Sequence, residues 1–166
     1  MRYIRCVFTI LLLLLLIING GLEVLAMNTG FSTESLLEDD INTFLKNVNI
    51  TMLTNEPPKK AIDCFSVNEN GVIAIGCSDS ENKTVCFYTR DGDFQYGYSF
   101  KCYGNFGIEL NKNILNIYFV RSDIVVTINH MGKVESIRKI QNTSENNDYW
   151  NNCVFLTRSC LKNPIS

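Results

Sequence analysis

The sequence predicts an all-β, mainly antiparallel protein, and three observations carry that expectation. From Ile62 onward, short runs rich in Val, Ile, Phe and Tyr follow one another, each bounded by polar turn residues. The turns carry strong signals: Asn68-Glu69-Asn70-Gly71, Asp91-Gly92 and Met131-Gly132. Between two of them the run 94–102 alternates strictly. It sets Phe94, Tyr96, Tyr98, Phe100 and Cys102 on one face and Gln95, Gly97, Ser99 and Lys101 on the other. The chain has 166 residues, enough for one domain, and its 46% apolar and 19% charged residues suffice to build a core.

The first element is a leader. Arg2 and Arg5 precede an apolar run from Val7 to Ile18, Gly20 and Gly21 break it, and Val24-Leu25-Ala26 offers small residues to a signal peptidase. Residues 1–26 therefore read as a secretory signal, cleaved between Ala26 and Met27. The twelve residues from Val7 to Ile18, all apolar except Thr9, rise only about 18 Å as a helix, short of the roughly 30 Å hydrocarbon core. The alternative is an uncleaved anchor over 7–26, with Asn19 and Glu23 near its outer end. Either way the remainder is expected to be extracytoplasmic, secreted or anchored.

Residues 27–60 are expected to hold a helix and a linker. The polar stretch 27–35 reads as loose, and Ser35 with Glu38 matches a capping box. Leu37, Ile41, Phe44, Leu45 and Val48 recur at helical spacing, which predicts an amphipathic helix over 36–47 that packs on the sheet. Glu38, Asp39 and Asp40 would repel anionic lipid, so a membrane-surface role is disfavoured. Pro57-Pro58 then ends regular structure.

Residues 61–141 predict eight strands in two sets of four. The first set is IDCFSV, GVIAIGC, TVCFYTR and the alternating run 94–102, with SDSENK as a polar loop and Asp91-Gly92 as a type I′ hairpin turn. The second is FGIEL, ILNIYFVR, DIVVTINH and KVESIRKI. Superposing the sets aligns Val85 with Val125 and Gly92 with Gly132, and Ile62 with Phe106. Four short strands in about 40 residues is the length of a propeller blade, so the fold class is two four-stranded meander repeats of propeller-blade type, preceded by the signal helix and one amphipathic helix. Two blades close no ring. Three readings stay open: a truncated member of a longer repeat protein, a small meander barrel, or a two-sheet stack with open edges that self-associate. The Asn-rich 142–152 and an unpaired strand at Cys153–Thr157 make 142–166 a partial third repeat or loose tail.

The segments GVIAIG, FQYGYSF and IYFVRSD, within 61–152, resemble a group of small exported or membrane-tethered, propeller-like β-repeat proteins of spore-forming Gram-positive (clostridia-type) bacteria. The resemblance implies compartment and fold. It brings no activity, cofactor or catalytic residue.

Residue chemistry narrows the function further. The net charge is −2, or about −3 without the leader, and no Lys/Arg cluster exists, which argues against nucleic acid. His130 is the only histidine and sits in a turn, so neither a nucleophilic triad nor a zinc site is expected. Beyond the leader lie Cys64, Cys77, Cys86, Cys102, Cys153 and Cys160, without any CxxC. Turn arithmetic sets Cys86 opposite Gly97 and Ile75, so hairpin disulfides to Cys102 or Cys77 are disfavoured. Asp91-Gly92-Asp93 reads as a turn, since the twelfth position of a calcium loop would be Cys102. Sequons at Asn49, Asn82 and Asn142 matter only in a eukaryotic secretory pathway. No catalytic residue, cofactor or metal is expected. The remaining candidates are Tyr96, Tyr98 and Tyr103, an aromatic platform for glycan or peptide if exposed and core if buried. The expected function is a non-enzymatic binding module for an unknown protein or cell-surface component, touching membrane only through its N-terminal segment. The alternatives are a fragment of a larger propeller-type hydrolase and a small ligand-carrying barrel.

Overall fold

The computed structural model describes residues 30–151. The expected signal, the Ala26–Met27 cleavage point and the expected strand at 153–157 lie outside them. The chain runs β1 (Thr33–Ser35), helix α1 (Glu38–Val48), β2 (Thr51–Leu53), β3 (Ile62–Val67), β4 (Ile73–Asp79), β5 (Asn82–Tyr88) and β6 (Phe94–Lys101). It continues with β7 (Phe106–Asn111), β8 (Ile114–Phe119), β9 (Ile124–Asn129) and β10 (Val134–Ile140), and residues 144–151 form a second helix. All pairings are antiparallel, in two five-stranded sheets ordered β2-β6-β5-β4-β3 and β1-β10-β9-β8-β7. Ile62 and Phe106 open the first long strand of each sheet, and Gly92 and Gly132 lie in the turn before the last.

Each sheet thus gains a strand beyond the four read from the sequence. β1 comes from the stretch expected to be loose and β2 from the expected linker, and each pairs with the last strand of a meander. The capping box is not made. Ser35 is taken up by β1 opposite Arg138, and α1 starts behind Leu37 with no side-chain cap.

Local chemistry sets the hairpins. Asn68 Oδ1 accepts the N–H groups of Asn70 and Val72, and Asn129 Oδ1 those of Met131 and Lys133. At the third such turn Thr89 Oγ1 accepts from the Asp93 N–H, and the Gly92 N–H donates to the Thr89 carbonyl at 3.0 Å. Only Gly92 has a positive φ there, +91°, so the turn is not the expected two-residue type I′. It is a longer loop closed by a left-handed glycine, and a register shift further along, at Phe87/Tyr88, brings Cys86 back opposite Gly97. The SDSENK segment shrinks the other way, to a two-residue turn: Asp79 pairs with Asn82, and Ser80 absorbs a positive φ of 57°.

The two sheets face each other across one core. Ala74, Val85, Phe87, Tyr98 and Phe100 come from the first sheet; Leu115, Ile117, Phe119, Val126 and Ile128 come from the second. The sheets converge where β3 runs beside β7. There the Leu110 N–H donates to Ser66 Oγ at 2.9 Å and Asn68 Nδ2 donates to the Lys112 carbonyl at 2.5 Å. The sheets stay separate and neither closes on itself, so among the described residues no barrel forms. At the far edges α1 links β1 to β2, and its Phe44 meets Phe119 edge-on at 5.1 Å.

Residues 144–151, in a stretch expected to be a partial third repeat or a loose tail, are helical and hold Tyr149 and Trp150. Among the described residues no helix is long and apolar enough to cross a membrane.

Candidate functional site

The aromatic stripe of β6 is core. Tyr98 is 1% exposed, and its hydroxyl donates to the Asn129 carbonyl at 3.2 Å. Tyr96 is half-buried and stacks on Phe87 with centroids 4.5 Å apart. Tyr103 lies in the loop after β6, 63% exposed. The three tyrosines therefore share no surface, and the platform is not built. Strict alternation on one strand records a face turned to a core.

The remaining candidates are dispersed as well. His130 is exposed in the β9–β10 turn. Cys64, Cys77, Cys86 and Cys102 are free thiols, and Cys86 lies opposite Ile75 and Gly97. Burial pushes Cys64 up to about 12 and Cys86 up to about 11. Such thiols stay protonated and are poor nucleophiles at neutral pH. Among the described residues no three His, Cys, Asp or Glu side chains converge as metal ligands.

What distinguishes surfaces on this molecule is how each sheet's outer face is covered. On the second sheet Tyr118 meets Phe31 at 5.2 Å and Trp150 at 5.9 Å, and Phe31 meets Tyr149 edge-on at 4.7 Å. The Trp150 ring lies over Gly107. Beneath this roof the Tyr118 hydroxyl donates to Glu109 Oε2 at 2.5 Å. Burial and that carboxylate hold the phenol strongly protonated. Thr127 Oγ1 donates to Asn116 Oδ1 at 2.9 Å.

The outer face of the first sheet is different. Its cross-strand pairs are Ile62 with Cys77, Phe65 with Ile75, and Val67 with Ile73; Ile75 and Ile73 continue to Cys86 and Tyr88. Ile62 is 44% and Val67 53% exposed, while Phe65, Ile73, Ile75 and Cys77 are half-buried. The cover here is the connection from β2 to β3, residues 54–61, which crosses from one edge of the sheet to the other. Glu56 Oε1 accepts from the Tyr88 hydroxyl at 3.0 Å. Lys60 pairs with Asp79 at 2.6 Å, and its ammonium holds that carboxyl below its ordinary range. The Lys60 carbonyl lies 4.0 Å from the Cys77 thiol.

Sequence reasoning passed over this face although a signal exists. In IDCFSV, VIAIGC and TVCFY apolar residues occupy both parities, whereas FQYGYSF alternates. A strand apolar on both faces needs a cover on both.

No family model matches the chain, and neither the curated proteins nor the solved structures contain a match to it.

Proposed function

We propose that this protein is an extracytoplasmic, non-enzymatic interaction module that binds another protein or a cell-surface component through the outer face of its first sheet. The proposal includes the sequence-level reading of the two sheets as blade-like units delivered by the N-terminal leader. One observation carries the assignment of the face. The second sheet's outer face is roofed by Phe31, Tyr149 and Trp150, whereas the first sheet leaves Ile62 and Val67 about half exposed beside Phe65 and Ile73. Contiguous apolar surface of this kind marks interaction sites on folded proteins.

The test compares the wild-type domain with Val67→Asp and Ile62→Asp as bait in envelope extracts of the source cells. A component retained by the wild type and lost by both variants supports the reading. Equal retention by all three, or no retention under several salt conditions, overturns it. Fractionation of cells with an antibody to the domain tests the compartment: product confined to the cytosol ends that part of the proposal.

A further inference from the structure

The segment 54–61 has the geometry of a strap. It leaves β2 beside β6 and enters β3 at the opposite edge, so it crosses four inter-strand gaps. At about 4.8 Å each these amount to roughly 19 Å. Eight extended residues reach at most about 27 Å, so the segment is long enough to make the crossing with slack. Pro57-Pro58 stiffens its middle, and Pro57 is half-buried while its neighbours are exposed.

The polar attachments of the strap's own side chains are two. The Tyr88 hydroxyl donates to Glu56 at 3.0 Å, and Lys60 pairs with Asp79 at 2.6 Å. Both are side-chain contacts near water, of the kind that contributes little to holding a chain down. Under the same part of the face lies Cys86, only 4% exposed although its side chain points away from the inter-sheet core. Glu56 is bonded to Tyr88, two residues along β5 from Cys86 on the same face, which places the strap over that part of the strand. The sheet therefore carries a cover that is weakly attached along its length and firmly tied only at its ends.

We propose that residues 54–61 form a displaceable strap that covers the outer face of the first sheet and lifts to expose it. The proposal deepens the assignment of that face as the binding surface and rests on that reading for its purpose, though the motion is measurable without any partner. When the strap lifts, Cys77, Cys86 and Ile75 gain exposure together, while the strands beneath keep their pairing. Loss of Glu56 and Lys60 contacts shifts the equilibrium toward the lifted form.

Peptide-resolved alkylation of the full chain by N-ethylmaleimide tests it. In Lys60→Ala/Tyr88→Phe, which breaks both attachments and keeps the Glu56 charge, Cys86 is expected to react roughly five- to tenfold faster than in the wild type. Cys64, which faces Phe106 and Gly76 in the core, is the internal reference and is expected to keep its rate. Tyr88→Phe, which removes only the hydroxyl, is expected to give a smaller rise confined to Cys86 and Cys77. An unchanged Cys86 rate in both variants overturns the strap. A rise at Cys64 in proportion to Cys86 overturns it too, since that reports opening of the whole domain. A lifted strap with no retained component in the bait experiment removes the binding reading alone.

Discussion

Gly76 shows how much a single residue can decide. A Cβ placed there would lie 2.5 Å from Cys64 Sγ and 2.9 Å from Phe106 Cζ, so the strand needs glycine for the core to close over it. Gly76→Ala is expected to destabilise the protein by about 1–3 kcal/mol, and Cys64→Ala in the same chain is expected to recover part of that loss. Urea unfolding of the two single variants and the double variant measures the coupling. The thiols themselves give a pH signature. Burial raises Cys64 from 9.0 to about 12 and Cys86 to about 11, and Tyr98 rises from 10.0 to about 12. These groups stay protonated in the fold while the unfolded chain begins to lose their protons near pH 9. Their contribution is therefore complete below pH 9 and is lost as pH climbs from about 9 toward 12. The melting temperature is expected to fall over that window, and Cys64→Ala to shallow the fall. A flat profile from pH 7 to 11 would contradict the buried placement of these groups.

Among the elements, α1 is held by its C-terminal end. Its start has no side-chain cap, but Asn49 closes it in the left-handed region at φ 48°, and the Asn49 N–H donates to the Leu45 carbonyl at 2.9 Å. Asn tolerates that conformation and a β-branched residue does not. Asn49→Val is expected to cost about 1–2 kcal/mol, read by denaturant unfolding, whereas Asn49→Gly should fall within a few tenths of the wild type. The hairpins carry the same lesson at their tips. Asn68, Thr89 and Asn129 each use a side-chain oxygen to hold the turn's own backbone, so the polar residues at strand ends are structural.

For the whole molecule the decisive fact is the shared core. Phe100 of the first sheet meets Phe106 at 5.4 Å and Phe119 at 5.5 Å, both from the second. Neither sheet can bury its inner face without the other, and the two are expected to unfold as one unit. Phe100→Ala should cost about 3–5 kcal/mol. Fluorescence of Trp150, the only tryptophan, reports the second sheet, and far-ultraviolet dichroism reports both. The two transitions are expected to coincide in wild type and variant alike, and separation of the curves would show that the sheets fold independently.

The strands between Ile62 and Ile140 were legible in the sequence to within about two residues at their ends, because each is long enough for its apolar period and its turn residues to be read. β3 begins and ends at the residues its pattern predicts, and Cys86 lies opposite Gly97 as expected, though through a longer turn offset by the register shift at Phe87/Tyr88. The sequence by itself also determined that the stripe Tyr96–Tyr98–Phe100 belongs to one face. Only the tertiary structure decided that this face is core, that three-residue β1 and β2 complete the sheets, and that Ser35 pairs with Arg138 instead of capping α1. Strands of three residues have no period to detect, and an edge is defined by the partner that reaches it. The candidate surface was decided in the same way. Which of two apolar faces is roofed and which is merely strapped depends on where Phe31, Trp150 and residues 54–61 come to rest. That is set by contacts between residues far apart in the chain, which no local pattern encodes.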